Sequence, residues 1–144
     1  MIVSHHGEDA YWLADQLLIL EKGRWIEKLD RTGSGFNPKL MRTACLQGWK
    51  NLVDSSALPL EFNSSERNNA HFVYIPTNAI RFTSSEHFSF LGEARILNSY
   101  KTNGRWQILI EMDSFCLEVE HEELPDLNVV RVYVNVSTFQ WLKA

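Results

Sequence analysis

The stretch "SHHGEDAYW" sets His5, His6, Glu8 and Asp9 within five residues, and these are side chains from which metal sites and acid–base pairs are built. Their spacing argues against that chemistry. Adjacent side chains point to opposite faces of a strand, or stand about 100° apart on a helix, so His5 and His6 converge on one ion only if the N-terminus is irregular. A helix start accounts for the pattern better. Glu8 and Asp9 fall where a helix N-terminus favours negative charge, and Ser4 or Gly7 leads the chain in. No metal and no cofactor are expected.

The remaining histidines, His71, His87 and His121, are scattered among strands and a loop. Glu86 with His87 and His121 with Glu122 are chain neighbours, which face apart on a strand, so neither makes an acid–base pair. The sequence contains no Gly-x-Ser-x-Gly elbow, Walker-type loop, dinucleotide fingerprint, His-Glu-x-x-His or Cys-x-x-Cys. "TGSGFNP" comes nearest to a phosphate cradle, but it lacks the lysine and hydroxyl residue that should follow, and it reads as a linker. No catalytic residue is assigned, and the balance leans away from an enzyme.

Two other constellations carry chemistry. "EVEHEELPDL" places Glu118, Glu120, Glu122, Glu123 and Asp126 within nine residues. This is either a solvated strand end or an acidic patch that steers a partner with a basic surface, an attraction that weakens with salt. Arg81, Arg95, Arg105 and Arg131 interleave with Phe82, Phe88, Phe90, Tyr100, Trp106 and Tyr133. On an exposed sheet face that composition makes a single-strand-binding platform, with bases on rings and arginines on phosphates. On a buried face the rings are core, and Tyr100 and Trp106 fall on the more apolar side of their hairpin.

The elements that must position these groups follow from periodicity. At 144 residues and 16.7 kDa the chain is the size of one domain, taken as 1–144, and needs neither disulfide nor metal to build a core. In its N-terminal part, residues 8–30 carry Ala10, Leu13, Ala14, Leu17 and Leu20 at helical spacing, with Gly23 as a C-terminal cap. A hairpin around Lys22-Gly23 is the competing reading. After the "DRTGSGFNP" break, Asn37 as N-cap and Pro38 at the first position predict a helix to about Asp54, with Leu40/Met41, Ala44/Cys45, Gly48/Trp49 and Leu52/Val53 as its apolar stripe.

From residue 58 the period becomes two. Strands are expected over 72–75, 79–83, 87–92, 94–100, 105–112, 115–120 and 129–136. For the hairpin at Asn103-Gly104, a two-residue turn opposes Lys101 to Trp106 and mixes polar with apolar residues on each face. A three-residue loop opposes Tyr100 to Trp106, Ile96 to Ile110 and Arg95 to Glu111, and separates the faces better. The expected fold class is therefore α+β, with N-terminal helices (1–57) packed on a C-terminal (58–144), mainly antiparallel, meander-type sheet or partial barrel.

The net charge is −4, and the acids concentrate in the second part: residues 1–57 hold seven basic and seven acidic groups, and 58–144 hold seven and eleven. That balance disfavours broad phosphate-backbone binding. No apolar run reaches the roughly 18–20 residues of a membrane-spanning helix, no signal-peptide layout opens the chain, and Cys45 and Cys116 read as reduced, buried thiols; a cytoplasmic protein is expected. The leading functional expectation is a non-catalytic intracellular protein-binding module, such as an immunity, antitoxin or inhibitor-like protein or a small subunit of an assembly, using its acidic surface. A single-stranded nucleic-acid-binding module is second, and a small enzyme of unrecognised type third. The tail "STFQWLKA" presents Trp141 and Leu142 as an anchor, onto its own core or onto a neighbour.

Overall fold

A computed structural model describes residues 1, 3–4, 10, 12–33, 35–62 and 69–144. His5, His6, Glu8 and Asp9 lie outside the described residues, and with them the predicted helix start.

The α+β expectation is overturned. The protein is mainly β, with 47% of residues in strands and 17% helical, and among the described residues there is no helix of seven or more residues. Instead of the helix predicted over 8–30, β1 (Gln16–Glu21) and β2 (Arg24–Asp30) form an antiparallel hairpin. Lys22 and Gly23 make its two-residue turn, both at positive φ (48° and 75°), the backbone twist that joins two strands without splaying them. Burial along β1 alternates, so Leu17 faces inward against Leu29 and Phe36 whereas Leu18 and Leu20 face out.

The second predicted helix survives only as α1 (Met41–Leu46). Its start is delayed because Leu40 is extended and bridged to Lys143: Lys143 N–H donates to Lys39 O and Met41 N–H to Lys143 O. Gly48, read from spacing as part of the stripe, is instead the stop signal. It sits at φ 73°, with Gly48 N–H bonded to Cys45 O and Trp49 N–H to Ala44 O, the paired bonds of a left-handed helix end. The chain then runs into β3 (Leu52–Asp54).

The strands beyond residue 58 are β4 (Phe72–Tyr74), β5 (Ile80–Arg81), β6 (Ser89–Thr102), β7 (Arg105–Glu111), β8 (Cys116–His121), β9 (Val129–Val134) and β10 (Gln140–Leu142). They build a five-stranded antiparallel sheet, β5-β9-β6-β7-β8, and a three-stranded sheet, β10-β4-β3. The larger sheet is nearly closed into a barrel, and its edge strands β5 and β8 come into contact.

β6 makes the curvature. Its first part pairs with β9 and its second with β7, and the register slips once on each side, between Phe90 and Gly92 and between Ile96 and Asn98. Such bulges bend a strand and increase its twist. The second slip unites both registers considered for the β6–β7 hairpin. Next to the Asn103-Gly104 turn the two-residue pairing holds, with Lys101 opposite Trp106; beyond Leu97 the pairing becomes Ile96 with Ile110 and Arg95 with Glu111. At the first slip Gly92, at φ 155°, lets Met112 approach: a Cβ there would stand 3.0 Å from Met112 Cε.

The core lies between the sheets. Ile108, Ile110, Leu117, Val119, Val132 and Val134 from the barrel meet Val53, Leu58, Phe62, Val73, Ile75 and Phe139. The tail packs on its own chain, as β10 pairs with β4 and Leu142 is fully buried. Cys45 and Cys116 are both free and exposed, contrary to their reading as buried thiols.

Candidate functional surface

Alternation along β8 settles where the acidic run points. Leu117 and Val119 are buried, which leaves Glu118 and Glu120 on the outer face, and both meet cations there. Lys50 Nζ donates to Glu118 Oε2 at 2.5 Å, and that bond raises the Lys50 pKa above its ordinary value against the opposing effect of desolvation. Glu120 Oε1 lies 2.8 Å from Arg105 Nε, an ion pair whose N–H is not aligned for a hydrogen bond, and Gln107 Nε2 donates to Glu120 Oε2 at 3.2 Å. Glu122 stands 3.7 Å from Arg105 and is far more exposed.

The other acids belong to the β8–β9 loop. His121 Nδ1, 2.8 Å from Glu123 O and 3.2 Å from Glu123 N, folds the loop's first turn back on itself, and Ile96 N–H bonds Asn128 O at its far end. Between these ties Glu122, Glu123 and Asp126 are exposed together with Leu124 and Leu127 (70% exposed), and Val129 (56%) follows at the start of β9. Glu123 and Asp126 make no ion pair among the described residues. Val129 also borders an open depression of about 370 Å³ rimmed by Glu93, Arg95, Glu111 and Asp113, where Arg95 is bound to Glu111 at 2.6 Å. Spacing arguments missed this rim, because its carboxylates come from β6, β7 and the turn after β7. The apolar residues of the loop were visible inside the acidic run as Leu124-Pro125-Asp126-Leu127.

The arginine and aromatic residues divide into two groups. Arg95 and Arg105 are paired with carboxylates, and Trp106 is partly buried against the core with Lys101 Nζ 5.9 Å from its ring centre. Arg81 and Arg131 lie instead over aromatic rings on the outer face of β5-β9-β6. Tyr100 is exposed, not core, because the turn-side register sends it outward opposite Gln107.

His87 is within 3.8 Å of Glu86, but both side chains are highly exposed, and His71, also exposed, is in β4's approach. Among the described residues no group of three or more His, Cys, Asp or Glu side chains converges as a metal site would require. No described helix is long and apolar enough to cross a membrane. No protein-family model matches this sequence, and a search of curated proteins finds no match.

Proposed function

We propose that the protein is a non-catalytic protein-binding module that engages a partner of basic surface through the β8–β9 loop. The reading is carried by the combination at that loop: exposed Leu127 and Val129 beside Glu123 and Asp126, whose charges no cation offsets among the described residues. Apolar side chains supply the area that binding energy needs, and uncompensated carboxylates around them select and steer a cationic partner. The net-negative rim of the neighbouring depression extends the same potential. Glu118 and Glu120 contribute less, since Lys50 and Arg105 hold them. An immunity-, antitoxin- or inhibitor-like protein, or a small assembly subunit, would use such a surface, and cytoplasmic residence agrees with two exposed free thiols.

The test is affinity purification from the native host with wild-type bait and with two variants, Glu122→Gln/Glu123→Gln/Asp126→Asn and Leu127→Ser. A stoichiometric protein retained by the wild type, released by salt and lost from both variants is the expected result. Equal retention by the variants, or salt-insensitive retention, refutes the assignment of the loop. A bait that emerges with no protein refutes the binding function itself.

A further inference from the structure

On the outer face of β5-β9-β6, burial of Val130, Val132 and Val134 turns Arg131 and Tyr133 of β9 outward. Arg81 of β5 and Phe90 of β6 flank Tyr133 as its cross-strand partners, and the Phe90 and Tyr133 rings stand 5.5 Å apart. The Arg81 guanidinium carbon is 4.6 Å from the Phe88 ring centre, and that of Arg131 is 4.7 Å from Phe90, which is itself 40% exposed. Neither arginine has a carboxylate partner among the described residues: Arg81 reaches only Ser85 Oγ at 3.5 Å, and Arg131 stacks on Phe90 although Glu93 is its cross-strand neighbour.

We infer that this face binds single-stranded nucleic acid. A guanidinium over a ring face still has N–H groups available to phosphate oxygens, and its planar fork can stack with a base. Arg81 and Arg131 are diagonal cross-strand neighbours, a separation of roughly 7–8 Å at their attachment points, so both serve one short length of backbone. Tyr133, flanked by Arg81 on one side and by Phe90 on the other, adds an aromatic ring to the same face on which a base can stack. The overall negative charge of the protein limits non-specific duplex binding but leaves a local two-arginine site intact. The inference is independent of the loop assigned above.

Fluorescence anisotropy with labelled oligothymidylate, oligouridylate, a matched duplex and polyglutamate tests it. The wild type should bind a single strand at low salt and the duplex more weakly. Arg81→Gln/Arg131→Gln should abolish that binding or reduce its salt slope by about 1.4, the loss of two phosphate contacts. Arg81→Lys/Arg131→Lys, which keeps the charge but not the stacked plane, should recover only part, and Arg95→Gln should bind as the wild type. Absence of oligonucleotide binding at low salt, a duplex bound equally well, an unaffected double variant, or polyglutamate bound in preference to either strand each overturns the inference.

Discussion

Asn51 offers a quantitative test of how the barrel's edge is held. Its side chain acts as a one-residue strand partner for β8: Nδ2 donates to Glu118 O at 2.7 Å and Oδ1 accepts from Glu118 N–H at 2.6 Å, while Ile75 N–H bonds Asn51 O. The residue is nearly buried and sits at φ 55°. Asn51→Ala removes two hydrogen bonds worth about 1 kcal/mol each and places a Cβ-bearing residue without a local polar group in the left-handed region, a further cost of about 1 kcal/mol. The sum is about 3 kcal/mol, which for a domain of this size lowers Tm by roughly 6–12 °C. Asn51→Gly loses the bonds but not the backbone fit, and should cost about 2 kcal/mol. Asn51→Asp keeps the acceptor for Glu118 N–H and sets a carboxylate against Glu118 O, so it should fall below Asn51→Gly. Urea unfolding followed by tryptophan fluorescence measures all three. Asn51→Ala within about 0.5 kcal/mol of wild type, or Asn51→Gly less stable than Asn51→Ala, would refute the account.

Two further predictions concern burial. Thr43 is fully buried and its hydroxyl has no hydrogen-bond partner among the described residues, so Thr43→Val should stabilise the protein by about 1 kcal/mol in the same unfolding assay; a loss would show that the hydroxyl is bonded. Tyr74, packed 4.3 Å from Trp49, has its pKa raised by burial, and Lys50 is raised by its bond to Glu118. In both cases the folded state holds the proton more tightly than the unfolded chain. The contribution is therefore present below the unfolded pKa values, about 10 for Tyr and 10.4 for Lys, and is lost as pH rises through the folded ones. Stability should decline over that alkaline range, and less steeply in Tyr74→Phe; an identical slope in the variant would count against the tyrosine's part.

The strands after residue 58 were legible because alternation there is plain: Ile108 and Ile110 of β7, Leu117 and Val119 of β8, and Val130, Val132 and Val134 of β9 are buried, and the residues between them face outward. What spacing could not show was how each local preference is arbitrated by distant backbone. Leu40 is extended because Lys143, about a hundred positions on, pairs with it, and Asn51 matters because Glu118 presents an open strand edge to it. The site residues were partly legible for the same reason. Glu122, Glu123 and Asp126 are neighbours in the chain, whereas Arg81, Tyr133, Phe90 and Arg131 become neighbours only through the order β5-β9-β6. The single bulge at Leu97 explains why neither register of the β6–β7 hairpin sufficed: each describes one end of the same strand.

The misreading of the first helix has a more instructive cause. "LLIL" is apolar at every position, so it satisfies a period of 3.6 and a period of two alike, and only the Lys22-Gly23 turn separates them. A half-buried strand with a polar outer face would have displayed its alternation. Here the outer positions are Leu18 and Leu20, with Trp25 opposite Leu20, and all three remain exposed while Leu17 and Leu29 are buried behind them. The side chains that concealed the strand in the sequence are therefore the ones that burial of a single face leaves on the surface of the folded protein.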